Sequence, residues 1–246
     1  MERKLRLSKA LAAAGIASRR KCEELIFAGK VEVNKETVLL PQTLVTWGKD
    51  RIVVEGREVK GEEARVCYLF HKPHGYICSN RPAKGKKLVV DLFRSTHSRL
   101  FTVGRLDRDT TGLLLVTNDG EFAHRVIHPS FELSKEYLVK TKEEVRHDHL
   151  ALLSKGMLLE RVWIRPQSVK KVRRGTLKIA VMEGKKREVR LLIQNAGLTL
   201  LSLKRIRLGP LTLGMLPEGA YRELSQREYD LLLKTDHSAD VPAHGS

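Results

Sequence analysis

Residues 101–120 read FTVGRLDRDTTGLLLVTNDG, and this stretch constrains the fold more than any other. Two apolar runs, Phe101–Val103 and Leu113–Val116, have the character of buried strands. The residues between them, GRLDRDTTG, include Gly104, Asp109 and Gly112, which suit non-helical backbone, so the spacing predicts strand, loop, strand. Loops at strand ends commonly carry function. This one sets Asp107 and Asp109 beside Arg105 and Arg108. Either a working carboxylate is neutralised by a neighbouring guanidinium, or a surface turn is tied by local Arg–Asp pairs. The residues alone leave both readings open.

The same patterning continues on both sides. Val66–Phe70 reads as a strand, Lys72-Pro73-His74-Gly75-Tyr76 as a turn, residues 79–87 as a polar loop, and Val89–Phe93 as a packed segment. A helix is expected over Glu121–Ile127, with His124, Arg125 and His128 either facing a partner or lying on a capped surface helix. Tyr137-Leu138-Val139, Leu177–Val181 and Ser202–Gly209 read as strands. Glu188–Leu192 reads as a strand after the turn Glu183-Gly184-Lys185-Lys186, with a helix starting near Arg190 as the alternative. A short amphipathic helix is expected over Gln226–Leu233, with frayed residues after Lys234.

The first sixty residues have a different grain. Leu7, Ala10, Leu11 and Ala14 predict a short helix ended by Gly15; Ser18 is a candidate N-cap for a second, running to Ile26 and Phe27 and ended by Gly29. Short strands follow at Lys30–Val33, Val38–Leu40, Val45 and Arg51–Val54, with turns at Asn34-Lys35-Glu36 and Gly48-Lys49-Asp50. Gly56–Arg65, polar and poor in large apolar side chains, reads as a linker.

Charge narrows the partner. The 246 residues carry 46 Lys and Arg against 29 Asp and Glu, a net charge of +17. Residues 161–190 hold eleven of the basic side chains and two acidic ones. Such a balance favours a polyanion, most simply RNA or DNA, gripped through phosphates with little base specificity. The 41% apolar content suits a folded protein, and no apolar run is long enough to span a membrane. The N-terminus lacks the long apolar core of a signal peptide. Cys22, Cys67 and Cys78 lack metal-type spacing and suit a reducing cytosol, so a cytoplasmic location is expected.

Two resemblances sharpen these readings. RLSKALAAAGIASRRKCEELIFAGKVEVN and VTWGKDRIVV resemble the small RNA-binding domain shared by ribosomal protein S-four and several RNA-modifying enzymes. That implies an RNA-binding domain over 1–60, with Arg6, Lys9, Arg19, Arg20 and Lys21 facing RNA; the family's usual Asn-Gly turn is Asn34-Lys35 here. FHKPHGYICS, FTVGRLDRDTTGLLLVTNDGEFAHRVIHPS, KEYLVK and MEGKKREVRLLIQNAG resemble the signature blocks of ribosomal RNA pseudouridine synthases, in the branch with an N-terminal S-four-like domain. The resemblance implies an α+β fold: the small domain, then a catalytic domain over 66–236 on a mixed, mainly antiparallel sheet with flanking helices. It implies Asp107 as the catalytic residue and Arg105 as shaping the RNA-facing loop. Tyr137 would pack on the target uracil, Arg190 would pair with the aspartate, and Leu191 would line the pocket. Asp109 is expected to be structural, and Lys185, Lys186 and Arg187 to contact RNA.

The chemistry so implied breaks the bond between uracil and the ribose anomeric carbon, turns the base and rejoins it through carbon five. An ionised Asp107 either attacks the sugar or abstracts a sugar proton. The base must leave its stack to be reached. No cofactor is expected; His71 and His74 lack partners at metal-ligand spacing, so no metal site is expected either. The partner implied is ribosomal RNA or an assembly intermediate, and a monomer is expected. NDGEFAHRVIHPS resembles the large-subunit branch more than the small-subunit one, although the end HSADVPAHGS lacks the long basic tail that many members of that branch carry. A catalytically inactive RNA-binding or ribosome-assembly protein is the alternative. A methyltransferase is disfavoured, because Gly104 to Gly112 has the wrong spacing for a glycine-rich cofactor loop.

Overall fold

The computed structural model describes residues 3–233 apart from 81–83, 94–95, 97, 129–130, 132, 160 and 183. The expected fraying after Lys234, and Glu183 of the expected turn, lie outside the described residues. The described residues divide into two compact units. One comprises 3–66 with short stretches at 96, 98–100 and 118–120; the other comprises the rest.

In the smaller unit, α1 (Leu7–Ala13) buries Leu7, Ala10 and Leu11, the three-and-four spacing that made it legible. Gly15 follows at φ +75°, a conformation that costs glycine little. Ser18 caps α2 (Arg19–Phe27), its hydroxyl accepting the Lys21 N–H at 3.2 Å, and Cys22 and Ile26 face the core one turn apart. A four-stranded antiparallel sheet follows in the order β2 (Glu36–Thr37), β1 (Val31–Val33), β3 (Ile52–Val54), β4 (Arg57–Val59). The turn between β1 and β2 places Asn34 at φ 55° and Lys35 at φ 71°, where Asn-Gly is usual. Asn34 offsets the strain: its Oδ1 accepts the Arg51 N–H and its Nδ2 donates to Asp50, both at 2.9 Å. That bond, with the Thr46 N–H, holds the Asp50 carboxyl below the usual carboxylate range.

Two expectations need correction here. Val38–Leu40 is not a strand: Leu39 and Leu40 are exposed, and the ladder lies on Glu36–Thr37. The linker does not start at Gly56, because Arg57–Val59 pairs with β3 across a turn at Glu55-Gly56. A three-residue edge strand with one apolar side chain has no periodicity to announce it.

The larger unit is built on a nine-stranded sheet. Its main path runs β9 (Ser168–Arg173), β10 (Thr176–Val181), β8 (Lys135–Thr141), β11 (Leu200–Leu208), β7 (Thr110–Thr117), β5 (Cys67–Lys72), β13 (Tyr221–Glu223). β6 (Phe101–Val103) pairs with β7, and β12 (Leu211–Thr212) with β11. Every pairing is antiparallel except β7 with β11. Leu69, Leu113, Leu115 and Leu208 join a core completed by Phe122 and Val126 of α3 (Gly120–Ile127) and Leu232 of α6 (Gln226–Leu233). Val139, Leu177, Ile179 and Leu203 join a second core with Leu153 of α4 (His147–Lys155) and with α5 (Glu188–Asn195).

The segment Glu188–Leu192, read first as a strand, is therefore helical. Val189, Leu192, Ile193 and Ala196 recur at three- and four-residue spacing and pack in the second core. β7 also starts earlier than the glycine pattern suggests. Gly112 lies inside the strand, between Lys72 of β5 and Arg205 of β11.

Candidate active site

Asp107 lies in the loop between β6 and β7, and α5 delivers arginines to it. Arg190 places Nε 3.4 Å from Asp107 Oδ2 while its Nη2 donates to the Thr110 hydroxyl at 3.0 Å. Arg190 is mostly buried and Asp107 is about one-third exposed, so the carboxylate keeps an open side. A guanidinium held at two points orients a carboxylate better than a freely moving ammonium does. Arg187 approaches the same oxygen at 3.8 Å. It is the residue before α5 and adopts a left-handed backbone, φ 58°. Such conformations cost a non-glycine residue energy and gather at functional sites. Arg187, expected to contact RNA, also lies beside Asp107.

The loop is braced from below. Lys72, fully buried, donates through Nζ to the carbonyls of Thr110 (2.9 Å), Pro73 (3.1 Å) and Arg108 (3.3 Å). Burial pushes the Lys72 ammonium below the usual lysine range, and Cys78, Asp109 and Asp107 oppose that shift. Cys78 holds the residue before Asp107 by both backbone groups: the Leu106 N–H lies 3.4 Å from Sγ, and the thiol donates to the Leu106 carbonyl at 3.5 Å. Burial pushes this thiol up. The Gly75 N–H donates to the Arg108 carbonyl at 2.9 Å, and exposed His74 and Asp109 approach to 3.6 Å. Neither Lys72 nor Cys78 was singled out from sequence; the signal was available only as a lysine at the end of an apolar strand.

Register assembles the floor. Ile179, Tyr137, Arg205, Gly112 and Lys72 are successive partners across β10, β8, β11, β7 and β5. Partners directly opposite one another point to the same face of a sheet. Tyr137 thus stands beside Arg205, half-buried at the edge of the second core. Arg205 is 4% exposed, and its Nε donates to the Leu113 carbonyl at 2.7 Å. Gly112 has no side chain to fill its place in the row. A Cβ there would lie 2.6 Å from the Arg205 nitrogen and closer still to its carbonyl oxygen.

The other expected residues are more dispersed. Leu191 is half-buried on α5, next to Arg190. Arg105 is exposed and forms no ion pair with Asp107 among the described residues. Lys185 is half-buried, its backbone N–H donating to Glu188, while Lys186 is exposed. In the smaller unit Arg6, Arg19, Arg20 and Lys21 are exposed and Lys9 is half-buried. Arg19 pairs with Glu23 at 3.3 Å and Lys21 with Glu24 at 2.8 Å, so part of the expected RNA-facing charge is matched on its own helix.

Residues 66–195 match the model of the RNA pseudouridylate synthase family, and residues 5–52 match that of the S4 domain. Ribosomal large subunit pseudouridine synthase B of Bacillus subtilis is 41% identical over 229 residues, covering 91% of this chain and 93% of the relative. A candidate ribosomal large subunit pseudouridine synthase of Arabidopsis thaliana chloroplasts is 44% identical over 254 residues; the match covers 94% of this chain but only 61% of that longer protein. A crystal structure of a pseudouridylate synthase superposes with a TM-score of 0.67 at 29% identity, covering 93% of this chain and 99% of the other. The chain belongs to the RNA pseudouridylate synthase family, with an S4 domain at its N-terminus.

Proposed function

We propose that this protein converts a specific uridine of large-subunit ribosomal RNA to pseudouridine, with Asp107 as the catalytic carboxylate and no cofactor. The observation that carries the reading is the Asp107–Arg190 pair, 3.4 Å apart on a loop and a helix eighty-odd residues apart in sequence and open to an incoming sugar. The names of the relatives, both large-subunit enzymes, support the choice of RNA. Asp107 either bonds to the anomeric carbon or removes a sugar proton as the uracil departs. Arg190 keeps the carboxylate aimed, and Tyr137 offers a face on which the freed base is retained. Arg105, Lys185 and Lys186 line the RNA side, and Leu191 closes the pocket.

Residues 1–60 act as the RNA anchor, with Arg6, Lys9, Arg19, Arg20 and Lys21 on phosphates, and residues 66–236 carry the chemistry. The partner is ribosomal RNA or an assembly intermediate, met by a monomer in the cytoplasm; all three cysteines are free, as suits a reducing compartment. The test is Asp107→Asn on unmodified large-subunit ribosomal RNA. Pseudouridine formation should fall at least about 10³-fold, with RNA affinity within about 3-fold of the parent. Activity near the parent level would remove Asp107 from the mechanism. A parent protein that binds this RNA and never modifies it would leave the inactive-binder reading instead.

A further inference from the structure

We infer that Arg205 contacts the extruded base and stabilises the negative charge that uracil carries while it is detached from the sugar. This rests on the isomerase reading above and adds a second catalytic residue to it.

The starting point is an incomplete set of partners. Arg205 is 96% buried by its 4% exposure, yet its one hydrogen bond among the described residues runs from Nε to the Leu113 carbonyl. No carboxylate pairs with it there, and its terminal nitrogens have no acceptor. Those terminal nitrogens are not among the fully buried unpartnered atoms of the described residues, so the tip of the side chain is open to solvent or to a bound group. The other buried cation of the row shows the contrast: Lys72 spends its ammonium on three carbonyls.

Placement says what completes it. Arg205 and Tyr137 are register partners, so their side chains leave the same face with Cβ atoms about 5 Å apart. On its other side Arg205 meets Gly112, whose missing side chain lets the Arg205 backbone pack close against it, with Lys72 next in the row. A planar base laid against Tyr137 would therefore present its polar edge to the terminal nitrogens of Arg205. The planar fork of donors on a guanidinium suits the paired oxygen and nitrogen acceptors of such an edge.

The chemistry needs a cation at that point. Cleavage of the anomeric carbon–N1 bond sends the bonding pair to uracil, which leaves as an anion with charge spread over N1, O2 and O4. After rotation, C5 bonds to the anomeric carbon. Asp107 is released, or returns the sugar proton it took. C5 then gives its proton to water and N1 takes one up, so atoms and charge balance. A donor fixed before the reaction, in a site shielded from water, stabilises developing charge without reorganisation.

The experiment compares Arg205→Gln, Arg205→Met and Arg205→Lys with the parent on in-vitro transcribed large-subunit ribosomal RNA. Single-turnover pseudouridine formation at saturating RNA, RNA Kd by filter binding and Tm are all measured. Gln and Met should slow the chemical step about 10²–10³-fold, the usual loss when one such donor is removed. Kd should stay within about 3-fold, and Lys should recover about tenfold of the rate by restoring charge without the fork. An unchanged rate in all three variants overturns the inference while leaving the isomerase reading intact. So does a Kd loss with a normal saturated rate, which would make Arg205 a phosphate contact, or a rate loss that follows Tm equally in all three. A parent protein that forms no pseudouridine overturns both.

Discussion

On α2 of the N-terminal unit two of the three cations face carboxylates one turn away at the surface: Arg19 with Glu23, Lys21 with Glu24. In the catalytic unit the buried cations do the reverse. Lys72 and Arg205 bond to backbone carbonyls, and the carboxylate at the centre, Asp107, meets two arginines instead. Exposed pairs within one helix are worth a few tenths of a kcal/mol and exchange partners freely, so an arriving phosphate would displace the glutamates at little cost. Cations bonded to carbonyls have no such freedom. They hold backbone in place and keep their charge available to a bound group. One region is built for adjustable grip, the other for fixed geometry.

Three substitutions would break or sharpen that contrast. Lys72→Met should have the largest effect. It leaves three carbonyls under the Asp107 loop without their donor, which should cost about 3 kcal/mol. That lowers Tm by roughly 6–12 °C in a domain of this size, read by calorimetry. Turnover should drop with it, measured well below the lowered Tm; a variant as stable and as fast as the parent would mean that the brace is dispensable.

Arg20→Gln should be milder. Arg20 is exposed, with no ion pair among the described residues, so stability should change by less than about 0.5 kcal/mol. RNA affinity should weaken severalfold, and the slope of log K against log salt should fall by about one unit if Arg20 neutralises a phosphate. An unchanged slope would take it off the RNA surface.

The smallest effect is expected at Glu228. It forms a capping box with Ser225, the Glu228 N–H donating to the hydroxyl at 3.3 Å and the carboxylate accepting the Ser225 N–H at 3.0 Å. It also takes two bonds from Arg222, and these first, then Ser225, bring its pKa to about 2 from the usual 4.5. Because the folded value is the lower one, the stabilisation is complete above about pH 4.5 and is lost as pH falls toward 2. Glu228→Gln should thus lower Tm slightly at neutral pH, with the gap to the parent closing below about pH 3. A gap that persists in acid would show that packing, not charge, sets the contribution.

The local elements were legible wherever the signal was local. Leu7, Ala10 and Leu11 announced α1, Ser18 announced the start of α2, and the apolar runs around GRLDRDTTG announced β6 and β7. Asp107 and Arg190 were legible through the resemblance of their blocks, and the structure brings them together. Glu188–Leu192 misled because a short segment with apolar residues on one side fits a strand or a helix until its packing partner is known. Lys72, Cys78 and Arg205 were passed over because a buried polar group looks like any other polar residue until its surroundings are seen.

The amino-acid order by itself determined the helix caps, a loop after β6, the excess of positive charge and which carboxylate stands in that loop. Only the tertiary structure decided that Tyr137, Arg205, Gly112 and Lys72 form one row, with Lys72 bonded to the loop. Strand register is set between segments far apart along the chain, and the one parallel pairing of the nine-stranded sheet, β7 with β11, depends on a position with no side chain to obstruct it.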